Sequence, residues 1–137
     1  MIGLDTNILA RYYIEDAGDA ESRRQREVAC RVMEAGTPLM VSKTVLLELE
    51  WVMRGYYDFE RQQVARVMQH LLSLVHVTIE DRDAVEHAMA SYLAGLDFAD
   101  AMHHASYRSC TSMLTFDDKF GRRANRLALV PGVSVPK

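Results

Sequence analysis

Apolar residues fall along the chain in short blocks whose spacing switches between two periods. "MIGL" is uniformly apolar and halts at Asp5, as a short buried strand would, and "TNILARYYI" resumes at helical spacing with Thr6 or Asn7 placed to cap it. The polar "EDAGDAESRR" reads as a turn leading into a helix whose Val28, Ala29, Val32 and Met33 form one apolar face, stopped by Gly36 and Pro38. A second strand, "LMVS", precedes Lys43–Arg54, a run apolar on most sides that predicts a largely enclosed helix ending at Gly55. Val64, Val67, Met68, Leu71, Leu72 and Val75 then make a helical stripe, and "VHVTI" alternates as a strand. The same alternation of elements follows once more. Val85, Ala88, Met89, Tyr92 and Leu93 form a stripe ending at Gly95, and Asp97 or a neighbour opens the helix "DFADAMHHASYR". "SMLTF" is a fourth strand, "DDKFGRRANR" a short polar helix or turn, and "VSV" a last strand between Pro131 and Pro136.

Strands separated by helices imply parallel pairing through right-handed crossovers, with helices on both faces of a central parallel sheet. The expected class is therefore α/β, a three-layer α/β/α sandwich. With no Pro- or Gly-rich linker and no internal repeat, residues 1–137 read as a single domain.

Composition narrows the setting without changing that picture. A chain of 137 residues, 49% hydrophobic and 26% charged, can bury one substantial core. No basic run followed by an apolar core opens the chain, and no stretch of eighteen apolar residues occurs, so a soluble cytoplasmic protein with no membrane association is expected. Cys30 and Cys110 are too few and too distant for a disulfide framework or a metal motif, and read as buried free thiols. The net charge of −3 argues against a simple coat for nucleic acid. It does not exclude a phosphate-bearing substrate, because the charge outside a few clustered acids is mildly basic and "DKFGRRANR" is locally so.

The acids carry the chemistry. Ligands of open parallel sheets bind at the carboxyl ends of the strands, and there Asp5 ends the first strand, Asp117 follows "MLTF", and Glu48 lies about two turns into the helix after "LMVS". Asp97 and Asp100, three residues apart, share a face at the start of a later helix. A lone Asp after a strand is more often a helix cap. In "VLLELEWV" a solvated acidic face would leave few apolar positions out of water, and Glu50 is the alternative exposed member of the pair. Convergence of four carboxylates would be costly. Two unit charges about 5 Å apart repel by roughly 3 kcal/mol at an effective dielectric of about 20. Several such pairs approach a domain's whole stability of about 5–15 kcal/mol unless protons or cations relieve them. With oxygen donors only, the relieving ion would be Mg²⁺ or Mn²⁺ rather than Zn²⁺. His103 and His104, near Asp100, are expected at the surface or behind the ligands.

With Asp5, Glu48, Asp100 and Asp117 in this order, the chain resembles the PIN domain and, within it, the VapC-type toxins of bacterial toxin–antitoxin pairs. The segments that carry the resemblance are "IGLDTNILAR", "VSKTVLLELEWVMRGYY", "DFADAMHHAS" and "SMLTFDDKFGR", spread over nearly the whole chain. The resemblance implies a metal-dependent ribonuclease with an α/β/α sandwich. Its acidic quartet would be Asp5, Glu48, Asp100 and Asp117, supported by Thr6, Asn7 and Thr115. Asp97 and Asp118 are additional carboxylates nearby, of which Asp97 is assigned to the metal shell. An antitoxin laid over the acidic pocket and a homodimer are also implied. Asp5, Asp100 and Asp117 would hold one or two Mg²⁺, and Glu48 would orient or help deprotonate the attacking water. Arg11, Lys43, Lys119, Arg122 and Arg123 are candidates for gripping the phosphates of RNA.

Other classes fit less well. A phosphoacceptor receiver needs an acceptor Asp ending its third strand, where "HVTIED" offers Asp81 only after a charged step, and paired acids after the first, where this chain has one followed by Thr-Asn. An inactive PIN-like interaction module would be marked by a missing acid, and all four are present. A PIN-like nuclease acting on DNA, or on RNA outside a toxin–antitoxin pair, uses the same residues.

Overall fold

The hydrogen-bonded strands are short and every pairing among them is parallel. A computed structural model describes residues 1–15 and 18–137, which form five strands and seven α-helices distributed over two units, Met1–Glu80 and Asp81–Lys137. All five strands predicted from the hydrophobic pattern are present, and helices separate each from the next, so the class is α/β.

In the first unit, β1 (Ile2–Gly3), β2 (Leu39–Val41) and β3 (Val77–Ile79) pair in that spatial order. Ile2 lies opposite Leu39, and Met40 opposite Thr78. The central strand is the buried one, with Leu39 and Val41 wholly enclosed. Helices α1 (Thr6–Tyr13) and α2 (Ala20–Glu34) connect β1 to β2, and α3 (Lys43–Trp51) and α4 (Arg61–Ser73) connect β2 to β3. Leu9 of α1, Met33 of α2, Leu46 and Leu49 of α3, and Met68 and Leu71 of α4 fill the interior. Each such burial stabilises the fold by about 1.5–3 kcal/mol. Helix α2 starts earlier than the apolar stripe indicated, because Asp19 accepts from the Ser22 N–H at 2.9 Å and so caps a polar first turn. Its end is where the sequence put it, at Gly36, whose φ of 76° only glycine adopts freely. Part of the turn expected in "EDAGDAESRR" lies outside the described residues.

Gly55 does not end α3. The helix continues into a π-helical turn, Val52–Tyr56, where Tyr57 N–H reaches the carbonyl of Val52. Gly55 has no left-handed backbone there, and the Trp51 ring lies against its open side. Nor is α3 wholly enclosed, since Thr44 and Glu48 are exposed and Trp51 is 64% exposed. Val75, placed in the α4 stripe by its spacing, lies beyond the helix and is fully in water.

In the second unit, α5 (Arg82–Leu93) and α6 (Phe98–Ser106) pack against each other around Tyr92 and Phe98, whose rings meet edge to face at 5.2 Å. Gly95, at φ 110°, makes the turn between the two helices. Strands β4 (Ser112–Leu114) and β5 (Gly132–Ser134) flank α7 (Asp118–Arg126) in sequence, and α7, whose Phe120 and Ala124 are buried, packs on β5. His104, expected at the surface or behind ligands, is buried, and its Nε2 donates to the Pro131 carbonyl at 2.8 Å. His103 is exposed. Both cysteines are free, but neither is fully buried: Cys30 on α2 is half-buried, and Cys110 is exposed because it falls in the loop before β4. No helix among the described residues is long and apolar enough to cross a membrane.

Candidate active site

Parallel strands place their carboxyl ends on one edge, and in the first unit that edge carries Asp5, Ser42 and Glu80. Leu4 N–H bonds the Met40 carbonyl, carrying the pairing one residue past β1. Asp5 is next, with extended backbone, and its Oδ1 accepts from Thr6 N–H at 2.8 Å. Asp5 is therefore the cap of α1, in place of Thr6 or Asn7, because a cap needs extended backbone and both of those residues are already helical. The cap engages one oxygen, and a carboxylate has two, with about four lone-pair sites. Thr6 supports Asp5 through its main chain. Its own hydroxyl is buried and has no hydrogen-bond partner among the described residues. Asn7 is exposed.

Glu80 follows β3 as Asp5 follows β1, and its carboxylate accepts from Lys43 N–H at 2.8 Å. It was missed in the sequence, although an acid directly after "VTI" is the same signal as an acid after "MIGL". Its bond pins the start of α3 to the end of β3. Ser42 Oγ adds a second cap by accepting from Val45 N–H at 3.2 Å.

The two glutamates of α3 take the opposite places from the alternative raised by the sequence. Glu50 is the buried one, 4% exposed, and it accepts from Arg54 Nε at 2.7 Å. Glu48 is exposed. The reason is periodic: Leu46, Leu49, Glu50 and Met53 are the inward stripe, and Glu48 lies off it. Arg54, four residues on, was the available clue to the buried carboxylate. Removing that guanidinium leaves Glu50 short of a charge-assisted partner. Arg54→Ala is expected to lower stability by about 1–3 kcal/mol, whereas Glu48→Ala should stay within about 0.5 kcal/mol of the parent. Thermal melts of the two variants side by side check this.

In the second unit, Asp97 caps α6, its Oδ2 accepting from Asp100 N–H at 3.1 Å. Asp117 caps α7, its Oδ1 accepting from Phe120 N–H at 3.0 Å. Thr115 Oγ1 accepts from Asp117 N–H at 3.0 Å and so fixes the turn that presents Asp117. Asp100 is half-buried in the first turn of α6. Burial raises the pKa of its carboxyl above the ordinary carboxylate value, the charges of Asp97 and then Asp117 push it further the same way, and His103 partly opposes them. These three carboxylates thus share one electrostatic neighbourhood. Asp118 is exposed in the first turn of α7.

Among the described residues no three His, Cys, Asp or Glu side chains close into a ready-made cage for an ion. A hard cation does not need one. Mg²⁺ usually keeps several waters and is held by one or two carboxylates. In the second unit the donors of this neighbourhood are all oxygen, with the charges of Asp97 and Asp117 both acting on Asp100. That donor set fits Mg²⁺ or Mn²⁺ and not a thiolate-seeking metal. Of the candidate phosphate-binding residues, Arg11 is tied to Gln25, its Nε donating at 3.0 Å. Lys43 starts α3, and Lys119, Arg122 and Arg123 lie on α7.

No curated protein matches the chain significantly. The PIN domain family model matches residues 2–126, nearly the whole length, over the same strands and caps that carry the acids. The chain belongs to the PIN domain family, an α/β fold whose members are generally nucleases.

Proposed function

We propose that this chain is a cytoplasmic Mg²⁺- or Mn²⁺-dependent endoribonuclease, the VapC-type toxin of a toxin–antitoxin pair, acting as a homodimer and silenced by its antitoxin. The observation that supports the nuclease reading is the neighbourhood of Asp97, Asp100 and Asp117, where burial first and then the charges of Asp97 and Asp117 raise the Asp100 pKa; a bound cation would relieve that repulsion. The toxin reading rests on the four segments quoted above and their order in the sequence.

In this reading Asp5, Glu48, Asp100 and Asp117 are the catalytic acids, with Asp97 as a further metal ligand. A bound divalent ion supplies Lewis acidity toward a phosphodiester oxygen and lowers the pKa of water. Asp97 and Asp117 spend one oxygen each on capping their helices, which fixes the carboxylates rigidly and leaves the second oxygen for the ion. Asp100 is half-buried, so the ion's charge acts on it through less water than at the surface. Glu48, solvent-exposed on α3, is free to accept a proton from the attacking water. Thr115 holds the Asp117 turn, and the Thr6 N–H holds Asp5 at the start of α1, with Asn7 exposed beside it as the remaining polar support.

The test is cleavage of a single-stranded RNA by the purified chain, with expression in cells alongside. Cleavage is expected with Mg²⁺ or Mn²⁺ and to cease with a chelator. Expression alone should arrest growth, and co-expression of a small neighbouring reading frame should rescue it. Metal-independent cleavage would overturn the metal mechanism, and cleavage without arrest would remove the toxin role while leaving the nuclease.

A further inference from the structure

Helix α7 begins at Asp117 and then turns strongly basic. Lys119, Arg122, Arg123 and Arg126 are spaced i, i+3, i+4 and i+7, which puts them on one side of the helix. Phe120, Gly121 and Ala124 form the opposite, buried side against the unit's interior. The basic face spans about 10 Å of helix axis at 1.5 Å per residue. Its charges are uncompensated. Arg24, Arg26, Arg54, Arg82 and Arg108 all sit in ion pairs, whereas among the described residues none of the four cations of α7 does. Arg31 and Arg66 also lack an ion pair among the described residues, but on α7 four such cations share one side of a helix in a chain with a net charge of −3, an alignment that suits a polyanion. Arg123 and Arg126 line a surface pocket with Ala94, Gly95 and Leu96, the turn that runs directly into Asp97.

We propose that the basic face of α7 is the track for the backbone of a single-stranded RNA, with Arg123 and Arg126 holding a phosphate in the pocket against the Gly95 turn. This rests on the nuclease reading of the acids at Asp97, Asp100 and Asp117. The track starts at the N-terminus of α7, where Asp117 stands, and leads along the helix to the pocket. The four cations grip phosphates that flank the cleaved bond, and Arg126, absent from the phosphate-binding candidates picked out in the sequence, is one of the two that close the far end.

The double variant Arg123→Gln/Arg126→Gln tests this on the full chain. Binding of a fluorescein-labelled single-stranded RNA of about a dozen nucleotides is followed by anisotropy in EDTA, which prevents cleavage, across a series of salt concentrations. For single strands the slope of log K against log salt is about −0.7 per neutralised phosphate. The double variant, which gives up the one phosphate held by the pair, should therefore have a slope shallower by about 0.7. Arg24→Gln, which removes an equal exposed charge already paired with Glu21, should keep the parental slope. With Mg²⁺ present, the double variant should raise KM more than it lowers kcat. An unchanged salt slope in the double variant, with circular dichroism confirming its fold, overturns the track, as does an equal loss of slope in Arg24→Gln. If the parent binds RNA with the steep slope but does not cleave it with any divalent ion, the nuclease reading fails while the track stands. If the parent cleaves and the double variant is indistinguishable from it, the track fails while the nuclease reading stands. Loss of binding to an acidic partner protein with RNA binding unaltered would assign the face to that partner and also overturn the track.

Discussion

Asp100→Asn is expected to reduce divalent-metal-dependent RNA cleavage by about a thousandfold or more, and at the same time to raise the melting temperature of the metal-free protein at neutral pH. The first effect follows from losing a ligand charge. A metal's stabilisation of developing charge is worth several kcal/mol, and each decade of rate is about 1.4 kcal/mol. The second follows from the raised pKa. In the folded protein the Asp100 carboxyl holds its proton to higher pH than in the unfolded chain, through burial first and then the charges of Asp97 and Asp117. The folded state therefore binds more protons as pH rises from the ordinary carboxylate range through the raised value, and stability falls across that window. At neutral pH the penalty is fully present, and the neutral amide removes it. Added Mg²⁺ should stabilise the parent clearly and Asp100→Asn much less. Asp5→Asn separates the two effects, because Asn caps a helix about as well as Asp: cleavage should be lost with little change in the metal-free melt. A metal-free Asp100→Asn protein less stable than its parent at neutral pH, or one that still cleaves at the parental rate, would refute the placement of Asp100 among repelling carboxylates.

Phe98→Ala is expected to cost about 3–5 kcal/mol, the range for deleting a buried aromatic ring. Phe98 is 1% exposed, and its ring abuts the equally buried Tyr92. Against a total stability of about 5–15 kcal/mol, this loss is large enough to leave a substantial unfolded fraction near physiological temperature. The ring also ties α6 to α5, one residue after the Asp97 cap and two before Asp100. Activity should accordingly fall even at temperatures where the variant remains folded. Phe98→Leu, which retains most of the apolar volume, should recover most of the stability. Denaturant titrations read by circular dichroism, with cleavage assayed well below each midpoint, separate the two losses.

The regular elements were legible because two strong signals coincided. Leu39 and Val41 alternate around a half-buried Met40, and Val85, Ala88, Met89 and Tyr92 recur at helical spacing, so period and burial agree. Where the reading went astray, a second interaction decided between two locally reasonable outcomes. Asp5 capped α1 although Thr6 and Asn7 are also good caps, since the choice depends on where the strand releases the backbone. Gly55 resembled a stop, yet the chain continued through it because the π-helical turn takes no left-handed residue. Glu50 went inside and Glu48 outside because Glu50 falls on the inward stripe with Leu46, Leu49 and Met53, where Arg54 pairs it one helical turn on. Asp97, Asp100 and Asp117 were all picked out in the sequence, but the effect of Asp117 on Asp100 depends on bringing the start of α7 near α6, which no local pattern encodes.

Trp51 is the chain's single tryptophan, and its indole already stands largely in water in the folded state. Its emission should therefore begin close to the colour typical of a solvated ring and shift little when the chain denatures. Fluorescence melts of this protein would pass nearly silently over the transition. The same indole would report instead on whatever settles over the outer side of α3, since a blue shift there would mark docking rather than unfolding.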